Sequence, residues 1–381
     1  MQERNDRIIT YLLKNRDYID RDKLMNFISA IKSDWTKSDS TLSAPLWVGW
    51  KITPRCNITC KHCWAHLGGN QRSYEDLKKV TDKLAEAKVL HITLTGGEPM
   101  IRKDFFKLLS YIKSKNIHVE IFTNGWFITK EKSKLLKEIL DISNDVIQIS
   151  LDGAKPQTHD AQRMKGSYDR VIRAFENLSE FSLKTRLNFT ATHLNVHEIF
   201  ETYKLSQKLK VSIFSVSPVY PSDRGANIAS LLNEEEYFEQ IEKCIDYRNQ
   251  NTNAVQFRPF LPISLFNNNS SDYDKFHISE KQMINKIEEG DIYWSIDSRG
   301  DVYPSIDLYH RELCGGNIYI DTVQDIQKNF SYKYDRFRNL SNKKCNKCKF
   351  YQLCGGGDLG FTYSEYNTFN EVDPTCIKEV L

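Results

Sequence analysis

The chain has 381 residues, with 53 Lys and Arg against 50 Asp and Glu, 40% hydrophobic and 12% aromatic residues. That length suits one large domain with a smaller one, and that apolar content supports a substantial core, which excludes global disorder. The balanced charge, with no basic run able to track a phosphate backbone, excludes nucleic acid as an expected partner. The first seven residues, Met1 to Arg7, are polar and charged, and no apolar stretch reaches membrane-spanning length. Neither a signal peptide nor a membrane partner is expected, and the expected location is cytoplasmic. Nine cysteines in such a chain point to metal binding rather than to disulfides.

In chain order, residues 1–44 place Ile8, Ile9, Leu12 and Leu13, then Leu24, Phe27, Ile28 and Ile31, at amphipathic helical spacing. Such a segment suits a cap on the domain that follows or a docking surface for a peptide. Residues 45–230 alternate in period. Strands are expected at 46–53, 91–95, 119–123, 146–150, 185–192 and 211–217, and helices at 73–87, 103–116, 129–141, 167–182 and 196–209. Six repeats of this βα type call for parallel strands joined by right-handed crossovers. Periodicity alone fits a barrel and a doubly wound sheet equally. Residues 231–290 hold a helix over 233–248 and a Pro, Asn and Ser-rich stretch at 259–272, read as a connection. Residues 291–381 form a last, cysteine-bearing region.

The chemistry is concentrated in Cys56-Asn57-Ile58-Thr59-Cys60-Lys61-His62-Cys63-Trp64. Three thiolates at this spacing can hold three irons of a 4Fe–4S cube and leave the fourth without a protein ligand. A structural zinc site wants four closed ligands, usually from two Cys-x2-Cys knuckles, and no fourth thiol lies near. His62, between two of the cysteines, would strain the loop as a fourth ligand. Further motifs follow at the ends of expected strands: Thr95-Gly96-Gly97-Glu98-Pro99, Thr123-Asn124-Gly125, Ser150-Leu151-Asp152-Gly153 and then Arg163 in Arg163-Met164-Lys165-Gly166-Ser167. Glycines 96 and 97 suit a chain that must approach a ligand with no Cβ in the way.

In spacing and order these motifs resemble the radical S-adenosylmethionine (SAM) superfamily, whose Cys-x3-Cys-x2-Cys signature has an aromatic neighbour, here Trp64. The resemblance implies an α/β fold: a partial (β/α)6 TIM-like barrel, open where substrate enters, with its motifs at the strand C-termini. It further implies that Cys56, Cys60 and Cys63 hold a SAM-binding 4Fe–4S cluster. Gly96, Gly97 and Glu98 would receive the SAM ammonium, Ser150 and Asp152 the ribose and Arg163 the methionine carboxylate, with Asn124 also a SAM contact. Trp64 would flank the adenine, or simply pack.

Near the end, Cys345-x2-Cys348-x5-Cys354 and Cys376 offer four more thiols. A four-cysteine zinc knuckle is one reading, although the usual second Cys-x2-Cys is missing. Cys354-Gly355-Gly356-Gly357 and Asp373-Pro374-Thr375-Cys376 resemble instead the SPASM extension of radical SAM enzymes, in which these cysteines fully ligate an auxiliary 4Fe–4S cluster. Such a closed cluster relays electrons or supports structure. Three cysteines that the extension commonly carries are replaced here, by Ser305, Asp321 and Asp358. Two clusters are therefore expected, not three; an oxygen-ligated third on Asp358 and Cys314 is the alternative. Cys314 and Cys244 are then without assigned duties, as hydrogen-atom donors or as ordinary buried thiols. Asp358 is a general base or a loop cap.

The resemblance implies reductive cleavage of SAM to methionine and a 5′-deoxyadenosyl radical that abstracts hydrogen from substrate. SPASM-bearing relatives point to a ribosomally made peptide, crosslinked or epimerised, with flavodoxin or ferredoxin as reductant. The alternative is a radical epimerase or dehydrogenase of a small molecule such as a sugar or aminoglycoside. A non-catalytic iron–sulfur scaffold would have no need of Gly96, Gly97, Glu98 and Arg163.

Overall fold

The computed structural model describes residues 44–63, 65, 69–221, 223–229, 231–251, 255–260, 293–338, 345–347, 359–373 and 376. The readings for the first 43 residues, for most of the stretch 259–272, and for Trp64, Cys348, Cys354 and Asp358 lie outside the described residues.

Strands β1 (Trp47–Lys51), β2 (His91–Thr95), β3 (His118–Thr123), β4 (Val146–Ser150), β5 (Thr185–Ala191) and β6 (Ile213–Pro218) pair in parallel with their sequence neighbours. The helices between them are α1 (Tyr74–Glu86), α2 (Phe105–Ser114), α3 (Lys130–Ile139), α4 (Pro156–Gln162), α5 (Ser167–Glu180) and α6 (Ile199–Lys208). This is the expected six-repeat framework, and element limits fall within a few residues of those read from periodicity. The local chemistry explains the starts. Ser73 caps α1 through a reciprocal pair with Asp76, each satisfying the other's backbone N–H, and Thr129 accepts from the Lys132 amide at the start of α3.

The sheet does not stop at six strands. Its order is β10-β9-β8-β1-β2-β3-β4-β5-β6-β7. After α7 (Glu234–Gln250), β7 (Gln256–Pro259) adds in parallel to β6. At the other edge β8 (Tyr293–Ile296) pairs in parallel with β1, and β9 (Asp301–Tyr303) and β10 (Gly316–Asn317) continue antiparallel. The sheet thus runs into both stretches that periodicity reads as connection and extension. Strands of two to four residues carry too few alternations to register as strands, and pairing with a preformed edge is what makes them so. Helices α8 (Val323–Arg338) and α9 (Leu359–Tyr366) follow.

Alternate strand residues enter the helix-covered core, among them Trp50, Ile92, Ile121, Ile149, Phe189 and Trp294, each at 1% exposure or less. The intervening residues are polar although buried: Lys51, Glu120, Gln148 and Arg186. Arg186 Nη1 lies 2.6 Å from Glu120 Oε1, reaching across β4 from β5 to β3. Side chains two strands apart meet in this way only on the concave face of a curved sheet. The interior is therefore polar and the outer shell apolar, and the open end of that interior carries the motifs.

Candidate active site

The loop between β1 and α1 is fastened to the barrel rim at three places. Beyond β1 the strand ladder continues, with the amides of Ile52, Gly97 and Glu98 donating to the carbonyls of Thr95, Thr53 and Arg55 at 3.0, 3.0 and 2.8 Å. The Lys61 amide donates to the Gln162 carbonyl at the end of α4 at 2.8 Å, and the Arg224 amide to the Cys63 carbonyl at 3.2 Å. The first contact gives the Gly-Gly pair a role different from the one read in sequence. A Cβ on Gly96, whose φ is +137°, would stand 2.3 Å from the Thr53 oxygen, and one on Gly97 2.1 Å from the Arg55 oxygen. The glycines are required by the cysteine loop's own backbone, which presses against them.

Within that loop Cys60 is buried and Cys56 and Cys63 are half-buried, all as free thiols. Burial pushes the Cys60 thiol up to about 11 and raises that of Cys56, and the charge of neighbouring sulfurs adds to both shifts. Clustered, partly desolvated thiols of this kind fit a cationic centre that replaces their protons. Two N–H groups approach the sulfurs: Asn124 Nδ2 is 3.9 Å from Cys56 Sγ and Arg163 Nη1 is 3.7 Å from Cys60 Sγ.

Glu98 has no exposed surface. Its carboxylate accepts from the amides of Met100 and Asn124 at 3.0 and 2.7 Å and from the Thr123 hydroxyl at 2.9 and 3.0 Å. It therefore ties the end of β2 to that of β3. Burial raises its pKa to about 7, against the pull of those donors. Asn124 also donates to Asn57 at 2.9 Å, bringing the end of β3 onto the cysteine loop.

Beyond β4, Asp152 is also fully buried. Oδ1 accepts from the Thr190 amide at 2.9 Å; Oδ2 accepts from Arg163 Nε at 2.5 Å and lies 3.4 Å from His62 Nε2. The Asp152 amide donates to His159 Nδ1 at 3.0 Å. Burial works against the Asp152 carboxylate, yet Arg163, then His62 and His159, hold its pKa below the ordinary value. Burial lowers both histidines to about 4. Ser150, half-buried at the end of β4, pairs in register with Asn188.

The structure thus brings Cys56, Cys60, Cys63, Gly96, Gly97, Glu98, Asn124, Asp152 and Arg163 to one rim. Sequence reading missed Lys51, His159 and Gln162 there. Lys51 is buried with Nζ 3.5 Å from the Tyr309 ring centroid, and burial lowers it to about 7. Its signal was a lone charge in the strand Trp-Val-Gly-Trp-Lys. Nothing in the sequence marked His159 or Gln162.

Of the later thiols, Cys345 is buried, Cys376 and Cys314 are half-buried, and the Cys314 thiol donates to the Gly316 carbonyl at 3.4 Å. Cys244 has no exposed surface and lies in the apolar core with Tyr237, Ile241 and Ile245 of α7. A thiol sealed there cannot reach a substrate radical, and it is an ordinary core residue. Asp321, where the extension commonly has a cysteine, uses its carboxylate to accept from the Asn317 amide at 2.7 Å.

Residues 50–206 match the model of the radical SAM superfamily. The mycofactocin maturase MftC of Mycolicibacterium smegmatis is 28% identical over 88% of this chain and 84% of its own length. The Fe-coproporphyrin III synthase of Methanosarcina barkeri is 26% identical, covering 86% of this chain and 87% of that one. Streptococcus suis SuiB, in a crystal structure bound to precursor peptide SuiA, superposes with a TM-score of 0.72 at 20% identity, over 93% of this chain and 80% of that one. Over residues 50–206 the chain is thus similar to the radical SAM superfamily, a class of enzymes whose cofactors are SAM and a 4Fe–4S cluster. Among the described residues no helix is long and apolar enough to cross a membrane.

Proposed function

We propose that the chain is a cytoplasmic radical SAM maturase that abstracts hydrogen from a ribosomally made peptide, leaving a crosslink or an epimerised residue. The observation that carries this reading is the extent of likeness to a maturase. The match to MftC spans 88% of this chain, well beyond the residues 50–206 of the superfamily match. The precursor peptide bound to SuiB supports a peptide as the substrate class.

In this reading Cys56, Cys60 and Cys63 hold the cluster, which when bound supplies the electron that splits the carbon–sulfur bond of SAM. The chain's residues bind and orient. Gly96 and Gly97 present backbone to the SAM ammonium, with Glu98 and Asn124 holding that turn in place. Ser150 faces the ribose, supported by Asp152, and Trp64 flanks the adenine. Arg163 meets the methionine carboxylate with the N–H groups that Asp152 and Cys60 leave unused. Cys345, Cys348, Cys354 and Cys376 hold an auxiliary 4Fe–4S cluster of the SPASM kind, in a domain spanning 291–381 beside a 45–230 barrel. Flavodoxin or ferredoxin supplies electrons. Where the product is an epimer, Cys314 returns a hydrogen atom to the substrate radical, and an electron and a proton restore its thiol; where a bond is formed, Asp358 removes the proton and an auxiliary cluster would take the electron.

The test is anaerobic reconstitution, then incubation with SAM, reductant and short peptides encoded beside the gene. Loss of two hydrogens from the peptide marks a crosslink; unchanged mass with solvent deuterium uptake marks epimerisation. A second reading, a small-molecule substrate, has the Fe-coproporphyrin III synthase match behind it. Turnover of a tetrapyrrole or sugar with every peptide left unmodified would establish that reading instead. If the product is an epimer, Cys314→Ala should abolish its formation without bleaching either cluster, and unchanged yield would remove Cys314 from the mechanism.

A further inference from the structure

Arg163 follows α4 directly, and its guanidinium is oriented from behind. Nε donates to Asp152 Oδ2 at 2.5 Å, and Asp152 is itself anchored by the Thr190 amide at 2.9 Å. Neither side chain has freedom to move: exposure is 9% for Arg163 and 0% for Asp152. The guanidinium's other edge is directed at the cysteine loop, with Nη1 3.7 Å from Cys60 Sγ. The pair is therefore a fixed dipole whose positive end rests on one cluster sulfur. Cys56 receives a weaker, neutral donor from Asn124 Nδ2 at 3.9 Å. The loop is held against this group independently, by the Lys61 amide on the Gln162 carbonyl one residue before Arg163.

Adding an electron to an iron–sulfur cluster makes the cluster and its thiolates more negative. A buried cation and N–H donors at the sulfurs stabilise the reduced form more than the oxidised one, and a buried anion does the reverse. The low local dielectric strengthens both effects. We propose that Arg163 and Asp152 set the reduction potential of the cluster at Cys56, Cys60 and Cys63, Arg163 as a charged donor to the Cys60 sulfur and Asp152 as the positioning residue that aims and partly offsets it. This role is additional to any contact of Arg163 with SAM, and it rests on the assignment of those three cysteines as cluster ligands. It ties substrate-independent electron uptake to the same residue that would meet the cosubstrate.

The experiment is a redox titration of the anaerobically reconstituted full chain without SAM, followed by visible absorbance and electron paramagnetic resonance. Arg163→Gln should shift the potential negative. Arg163→Lys, which keeps the charge but loses the planar fork, should fall between it and the wild type. Asp152→Asn should shift the potential positive. Asn124→Ala should give a smaller negative shift, and it serves if an Asp152 variant does not fold. Opposite signs for Arg163→Gln and Asp152→Asn are the expected result, because mere loosening of the site moves both the same way. Unmoved potentials at full iron content, shifts of one sign for Arg163→Gln and Asp152→Asn, or an Asn124→Ala shift as large as that of Arg163→Gln overturn the assignment while leaving the cluster reading intact. A wild-type chain that takes up no iron–sulfur cluster overturns the underlying reading instead.

Discussion

Glu98 holds its place by burial and by three donors, two amides and a hydroxyl, and the two influences oppose one another in its titration. Burial prevails, so the folded-state pKa of about 7 lies above the ordinary 4.5. Between those values the folded chain keeps a proton that the unfolded chain has released. The stability contributed by Glu98 is complete below about pH 4.5 and is lost as pH rises through about 7. For cluster-free protein, the difference in unfolding free energy between wild type and Glu98→Gln should fall over that interval by on the order of 3 kcal/mol. Denaturant titrations at several pH values measure it. A difference that stays flat would mean that water reaches the carboxylate. Among the site residues, the cysteines and the Gly-Gly-Glu run are legible in the linear order because their spacing is itself the signal. His159 and Gln162 are not, because their part is played by a single ring nitrogen that folding carries to the Asp152 amide and a single carbonyl that it carries to the cysteine loop.

At the scale of elements, the cysteine loop is shaped by the strand end it lies on. Gly97→Ala places a methyl against the Arg55 carbonyl and the Cys56 amide, backbone groups that cannot swing aside. We expect a stability loss of roughly 1–3 kcal/mol, the usual cost of overpacking, and a marked loss of bound iron. Thermal unfolding and iron per chain would show this together, and a variant with full iron content would contradict the close approach. The main helices were readable because α1 to α3 and α5 carry complete apolar faces with start signals such as Ser73 and Thr129. The short α4 was not: seven residues opened by Pro156 make less than two turns, too short a window for a periodic pattern to show. Yet α4 carries Gln162 and is followed by Arg163, which both reach the loop, and carries His159, which holds the Asp152 amide.

At the scale of the whole molecule, the curved sheet encloses charge. Arg186 and Glu120 lie at 7% and 2% exposure, and their 2.6 Å contact lacks hydrogen-bond angles. Both Glu120 oxygens and Arg186 Nε make no hydrogen bond. Breaking the pair from one side strands the other charge in the interior. Arg186→Met or Glu120→Gln alone should therefore cost about 3–5 kcal/mol, and the double variant should recover much of that loss. A double-mutant cycle by denaturant unfolding decides it; additive losses would mean that the two charges are separately solvated.

Period and spacing along the chain determined the six βα repeats, the three-thiol loop and the resemblance of both to the radical SAM superfamily. Those are local regularities, set by the pleat of a strand, the turn of a helix and the reach of a short loop. Only the tertiary structure decided that β7 and β8 extend the sheet at its two edges, that Gly96 and Gly97 make room for the loop's own backbone, and that Asp152 turns Arg163 toward Cys60. Each of those joins groups far apart in sequence, and neither short strands nor single polar side chains leave a periodic mark. Their roles exist only once the curved sheet has brought its strand ends to a common rim.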